Sequence, residues 1–303
     1  MGDLGVRSGG RGPTSEGPAD AGIVDLLGRL DDAPPDPRSL YYRWESEQWE
    51  AGALAFAKDR SSWSALAEDE RASMGVLLGC FLVPSGRIGD LLVPFVDAVP
   101  SEEEQVFLTS QLVDEARAVV FCDRLSSELP GDDSGSVTAL IRTNDQLGTL
   151  LDLVAPRADE VRVDRNPGPA LFEGLLLLNV LLDGVLAASS LRRLGPWLEE
   201  RGGFPGLLTG LSGLARDTTR HAHFGIRLLQ EALADVSRSK SADASKIEAT
   251  IEEALPSVQG VVNEAAARSN DFSGLPFGEA ELSVDTMECL ALRIQDIGID
   301  LPA

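Results

Sequence analysis

The sequence predicts an all-α protein whose centre is a bundle of long helices. Three features lead there: apolar residues recur at helical spacing between about residues 61 and 235, Ser101 and Glu104 have the spacing of a capping box ahead of one such stretch, and alternating strand-like runs are nearly absent. With 303 residues, 43% of them hydrophobic, the chain can bury a large core. Its formal charge of −23, from 26 basic and 49 acidic side chains, excludes the basic face that a nucleic acid or an anionic membrane requires. Cys80, Cys122 and Cys289 are odd in number and widely spaced, as expected for reduced thiols of a cytoplasmic protein, and none has metal-ligand spacing.

Residues 1–19 are rich in Gly, Pro, Ser and Arg and read as a disordered tail. They lack the apolar run of a secretory signal. Residues 20–31 predict one short amphipathic helix through Ile23, Val24, Leu26, Leu27 and Leu30, ended by Pro34, Pro35 and Pro37. The first core helix is expected to start at a cap on Ser61 or Ser62 and to run through Leu66, Met74, Leu77, Leu78 and Phe81, with a kink at Pro84. The second starts at the Ser101 box and shows Phe107, Leu108, Leu112, Ala116, Val119, Val120 and Leu125 as a broad apolar face. Glu115 falls inside that stretch, where a carboxylate must be answered by a metal, an Arg or a proton.

Residues 129–136 are a loop by composition, and a helix is expected over about 137–154. After Pro167 and Pro169 comes a run from Leu175 to Leu182 that is apolar on every face and therefore reads as buried all round. Asn179 and Asp183 interrupt it too much for a membrane span. Pro205 opens the last core helix, which carries the chain's two histidines, His221 and His223. Two residues apart on a helix, they point about 160° apart and cannot chelate one ion together. A Ser- and Lys-rich linker beyond residue 237 leads to two more helices, about 244–268 and 279–296.

Two motifs stand out on the core helices: Asp114-Glu115-Ala116-Arg117-Ala118, and Asp217-Thr218-Thr219-Arg220-His221-Ala222-His223-Phe224-Gly225. Four-helix carboxylate-diiron proteins need a Glu-x-x-His pair on each of two helices and a Glu from each of the other two. Here the pairs read Glu115-x-x-Ala118 and Thr218-x-x-His221, each short of one ligand. With Glu104, Phe107-Leu108-Thr109, the entry segment Tyr42-Arg43-Trp44-Glu45 and Gln48-Trp49, and Asp59 and Trp63, these blocks resemble the ribonucleotide reductase small subunit and its relatives, the ligand-binding oxidases of the ferritin-like superfamily. The resemblance spans roughly residues 40 to 235.

It implies a ferritin-like four-helix bundle over 20–237, with its core at about 61–235, and a C-terminal helical appendage at 244–303. Glu115, Glu173 and His221 then fall at ligand positions and would converge inside as metal ligands, or as catalytic acid and base. Ser85 or Gly86, Ala118 and Thr218 occupy the remaining ligand positions, and Asp90 can replace the first only in another helix register. Arg117 and Arg220 can neutralise a buried carboxylate or form an outer ion pair with Asp217 or Asp114. The resemblance places Cys122 where the family has its radical tyrosine, and Gly168 where some oxidases have a crosslinked one. With Tyr only at 41 and 42, neither chemistry has a candidate. The expected cofactor is none, or a single iron or manganese ion. Two functions stay open: a diverged oxidoreductase acting on or binding a small or acyl ligand in the bundle cavity, and an inactive pseudoenzyme subunit that supports an active homologue. The implied partner is a second copy or a related chain.

Overall fold

The computed structural model describes residues 22–82, 85–130, 144–164, 168–234 and 244–299, and among them there is no strand. The expected N-terminal tail, the kink at Pro84, the loop beyond Pro130 and the linker at 237–243 lie outside the described residues.

Helix α1 (Ile23–Gly28) runs into a short 3-10 turn. The proline cluster that ends it also starts α2 (Pro37–Ser46): Pro37 takes the first helical position, where a missing N–H costs nothing, and the Asp36 carboxylate accepts from the Ser39 N–H at 2.9 Å. The expected first core helix is two helices, α3 (Asp59–Ala65) and α4 (Glu68–Leu82), because Leu66 takes an extended backbone between them. Ser61 and Ser62 therefore lie inside α3 and cap nothing. Asp59 is instead buried and accepts from the Gly206 N–H at 3.1 Å.

After α5 (Ser85–Ala98), helix α6 (Glu102–Glu128) begins at the predicted capping box, both halves of which form, Glu104 N to Ser101 Oγ at 3.2 Å and Ser101 N to Glu104 Oε2 at 2.9 Å. Its apolar face differs from the expectation. Phe107, Leu108 and Leu125 are buried, but Ala116, Val119 and Val120 are exposed. Ser110, Gln111, Asp114 and Glu115 are buried in their place. Helix α7 spans Asp145–Val163, later than predicted, because the Asn144 side chain caps it by accepting from Leu147 N at 3.0 Å.

Helix α8 is continuous over Pro169–Arg201, α-helical at both ends and π-helical over Leu176–Ala187. It is long and apolar enough to cross a membrane, but 83% of its most apolar window is buried against the rest of the chain, as the all-round apolar pattern predicts. Helix α9 (Pro205–Ala234) lies along it. The two approach closely at Gly225, where a Cβ would stand 2.7 Å from the Cβ of Asn179. Helices α10 (Ala244–Arg268) and α11 (Glu279–Ile297) match their predicted bounds within a residue. They are not an appendage: Ile247, Val258, Leu290 and Ile294 belong to the main apolar cluster, and Arg293 donates to the Leu30 carbonyl at 2.5 Å.

The core has two apolar clusters, one with Phe95, Phe107, Leu175 to Val185 and Phe224, the other with Trp49, Phe121, Leu125, Leu207 and Leu211. Along α6 and along α9 the two clusters are separated by the buried polar stretches 110–115 and 217–221. A polar layer therefore crosses the bundle.

Candidate metal and ligand site

That layer is organised by two aspartates, each held by a tryptophan and an arginine. Asp114 on α6 accepts from Trp44 Nε1 at 2.7 Å and from Arg220, and pairs with Arg117 at 3.0 Å. Asp217 on α9 accepts from Trp49 Nε1 at 2.8 Å and from Arg117 at 3.3 Å. Arg220 donates its other terminal nitrogen to Ser110 Oγ at 2.8 Å, and its guanidinium lies over the Phe107 ring, 4.5 Å from the centroid. The outer ion-pair reading of Arg117 and Arg220 thus describes what they do. They bear on the site through Asp114.

Inside this frame sits His221. Its Nε2 is 3.1 Å from Asp114 Oδ2, and its Nδ1 is 3.1 Å from Asp183 Oδ2 and 4.0 Å from Glu115 Oε1. One ligand atom from each of Glu115, Asp183 and His221 lies within 4.8 Å of the other two. Ligands held about 2.0–2.3 Å from a common ion are spaced by roughly 3–4.5 Å, so this set fits one cation. His221 presents Nδ1 to that point and Nε2 to Asp114, the carboxylate–histidine arrangement that fixes a ligand ring. Among the described residues no second such set of His, Cys, Asp and Glu occurs; Ala118 has no donor atom and Thr218 offers a hydroxyl.

Protonation follows from the same geometry. Burial pushes Glu115 up to about 8, helped by the negative charge of Asp183. Burial likewise raises Asp217, to about 7, and Asp183. Asp114 is pushed up by burial too, but the hydrogen bond from His221 and the Arg220 charge outweigh it and hold it at about 2. His221 is pushed down by burial, yet its bonds to Asp114 and Asp183 win and raise it to about 9. At neutral pH it is an imidazolium beside a protonated Glu115, with the Asp114 carboxylate on its Nε2 side and Asp183, whose proton burial favours, on its Nδ1 side.

The expected convergence of Glu115, Glu173 and His221 is therefore corrected in one member. Glu173 accepts from Arg157 Nε at 3.1 Å, and Arg157 also binds Glu253, so Glu173 is spent on an ion pair with α7 and α10. The acid that meets Glu115 and His221 is Asp183, ten residues later. Within the sequence Asp183 marks only an interruption of an apolar run, although a lone acid in such a run needs an answering partner. Asp114, expected only as a partner for Arg, is the hub of the layer. Gly86 and Asp90 are exposed on α5, so neither supplies a ligand, and the Ser85 side chain lies outside the described residues. His223, 1% exposed, has no hydrogen-bond partner on either ring nitrogen, and burial and the Arg43 charge push it down to about 4.

A cavity of ≈ 70 Å³, measured as room for the centres of water-sized groups, adjoins the site. Glu115, Asp183, Thr218 and His221 form its polar end, and Leu182, Leu186, Leu191, Leu214 and Val262 are among its apolar walls. Ala118 lines it as well. Helices α10 and α11 contribute Val261, Val262, Ala265 and Leu282, so they close it.

The sequence matches the family described as ribonucleotide reductase, small chain, over residues 35–276. Among solved structures it is similar to an R2-like ligand-binding oxidase with an aerobically reconstituted Mn/Fe cofactor, with a TM-score of 0.72 at 22% identity, covering 88% of this chain and 93% of that one. A point mutant of such an oxidase with an anaerobically reconstituted Mn/Fe cofactor gives 0.74 at 21%, covering 88% and 94%.

Proposed function

The chain belongs to the ribonucleotide reductase small-chain family, and from that premise we propose a diverged, oxidase-like member that holds at most one divalent iron or manganese ion and binds a small, mainly apolar ligand beside it. The observation that carries this reading is the single-ion set of Glu115, Asp183 and His221 at the polar end of an apolar cavity. When bound, such an ion supplies redox chemistry. The chain's own residues have separate tasks. Asp114 keeps a proton on His221 Nε2 and so leaves Nδ1 for coordination; Glu115 carries a proton that it can release; the leucine and valine walls exclude water and orient an apolar ligand body with its polar end toward Thr218 and Asp183. After reconstitution with iron and manganese, elemental analysis of the full chain is expected to give no more than one equivalent. Asp183→Ala and His221→Ala should remove it and Glu173→Ala should not. Two equivalents per chain would overturn the reading.

A second reading, a catalytically inactive subunit that supports an active homologue, is favoured by one observation: both ring nitrogens of His221 are held by aspartates, Asp114 and Asp183. Both readings include pairing with a second copy or a related chain. The surface that supports pairing is the outward side of α6, where Val106, Val113 and Val120, seven residues apart, are 41%, 46% and 47% exposed. Light scattering at micromolar concentration is expected to give a dimer mass, and Val113→Asp to convert it to a monomer with unchanged helicity. A monomeric wild type would exclude the homodimer.

A further inference from the structure

On the outer side of the Asp114–Asp217 layer, we infer that Arg43, Arg216 and Arg220 form a binding site for a small inorganic anion of halide size. The three side chains line one small pocket with Trp44, Glu47, Gln48 and Asp217. Its polar groups other than the arginines are already engaged. Glu47 accepts from Arg29 at 3.2 Å, Asp217 from Trp49 and Arg117, and Gln48 Oε1 from Arg117 at 2.6 Å, while Gln48 Nε2 donates to the Trp44 carbonyl at 2.7 Å. The guanidinium groups of Arg43 and Arg216 have no carboxylate within ion-pair distance among the described residues. The Nε of Arg216 and the Nε of Arg220 are both buried without a hydrogen-bond partner, and Arg220 as a whole is only 3% exposed.

Two half-buried cations and one buried cation thus gather in a chain whose net charge is −23. Glu47 and Asp217 line the same pocket and Asp114 pairs with Arg220, yet the buried Nε groups of Arg216 and Arg220 stay without an acceptor, and orphaned buried N–H groups call for one. The pocket's ≈ 10 Å³ holds about one water-sized group, which selects a halide over a phosphate or a nucleotide. Arg220 uses its two terminal nitrogens on Ser110 and Asp114. An anion against its remaining N–H would therefore hold the guanidinium that anchors Asp114. This site is separate from the proposed metal set and is tested without any metal.

The test compares chloride and bromide with gluconate, too large to enter, at constant ionic strength on the full chain stripped of metal. A saturable rise in Tm of about 2 °C at ten times the Kd is expected with the halides only. Crystals soaked in bromide should show an anomalous peak among Arg43, Arg216 and Arg220. The Arg43→Gln/Arg216→Gln double variant should keep its helicity and lose both signals. Equal Tm in halide and gluconate, bromide bound elsewhere, or a saturable response surviving in the variant would overturn the inference.

Discussion

Replacing Asp114 by Ala is expected to lower the unfolding free energy by about 3–5 kcal/mol, the range for removing one partner of a buried charge network. Asp114 is 2% exposed, is hydrogen-bonded to Trp44, Arg220 and His221, and forms an ion pair with Arg117. Its loss strands the guanidinium of Arg220 against the Phe107 ring and leaves the Trp44 N–H unmatched. His221 then keeps only Asp183 as a close partner and gives up its proton more easily, which relieves part of the strain, so the lower end of the range is favoured. Glu173→Ala is the contrast. Its pair with Arg157 is partly solvated, and its removal is expected to cost at most about 1 kcal/mol. Urea titrations of both variants check this. A loss below about 1 kcal/mol in Asp114→Ala would mean that the polar layer is not held by that carboxylate.

The second large effect is on metal affinity as a function of pH. Without metal, His221 holds a proton up to about 9 and Glu115 up to about 8, both above their ordinary values. An ion must displace protons from the atoms it binds. Below pH 8 both protons are in place, so affinity for manganese should rise by at least roughly 100-fold per pH unit; above 8 Glu115 no longer contributes and above 9 neither does His221, so the slope falls by about tenfold per unit at each step, with Asp183, also raised, adding to it wherever it holds a proton. Competition against a chelator across this range measures the slope. An affinity independent of pH between 6.5 and 8.5 would exclude Glu115 and His221 as ligands.

Much of this was legible in the sequence because it is local. The Ser101 capping box, the bounds of α10 and α11, the Pro205 start and the opposed directions of His221 and His223 follow from spacing along one helix. What the sequence hid depends on other helices. The exposed Val119 and Val120 and the buried Asp114 invert the hydrophobic reading of α6, because Ser110, Gln111, Asp114 and Glu115 take the middle of its inner face and the valines lie on the outer one. The break at Leu66 leaves no composition signal. Glu173 and Asp183 are both acids on one long helix, and a count at 3.6 residues per turn does not show which one reaches His221.

The reason lies in the twelve π-helical residues between Leu176 and Ala187. Each π turn takes in one residue more than an α turn, and such stretches are ordinarily a single turn long. Angular phase along α8 therefore drifts through this segment, and Asp183 is near its end. The winding of α8, held at Asn179 by its bond to the His221 carbonyl at 3.0 Å, thereby decides which acid of that helix stands beside His221.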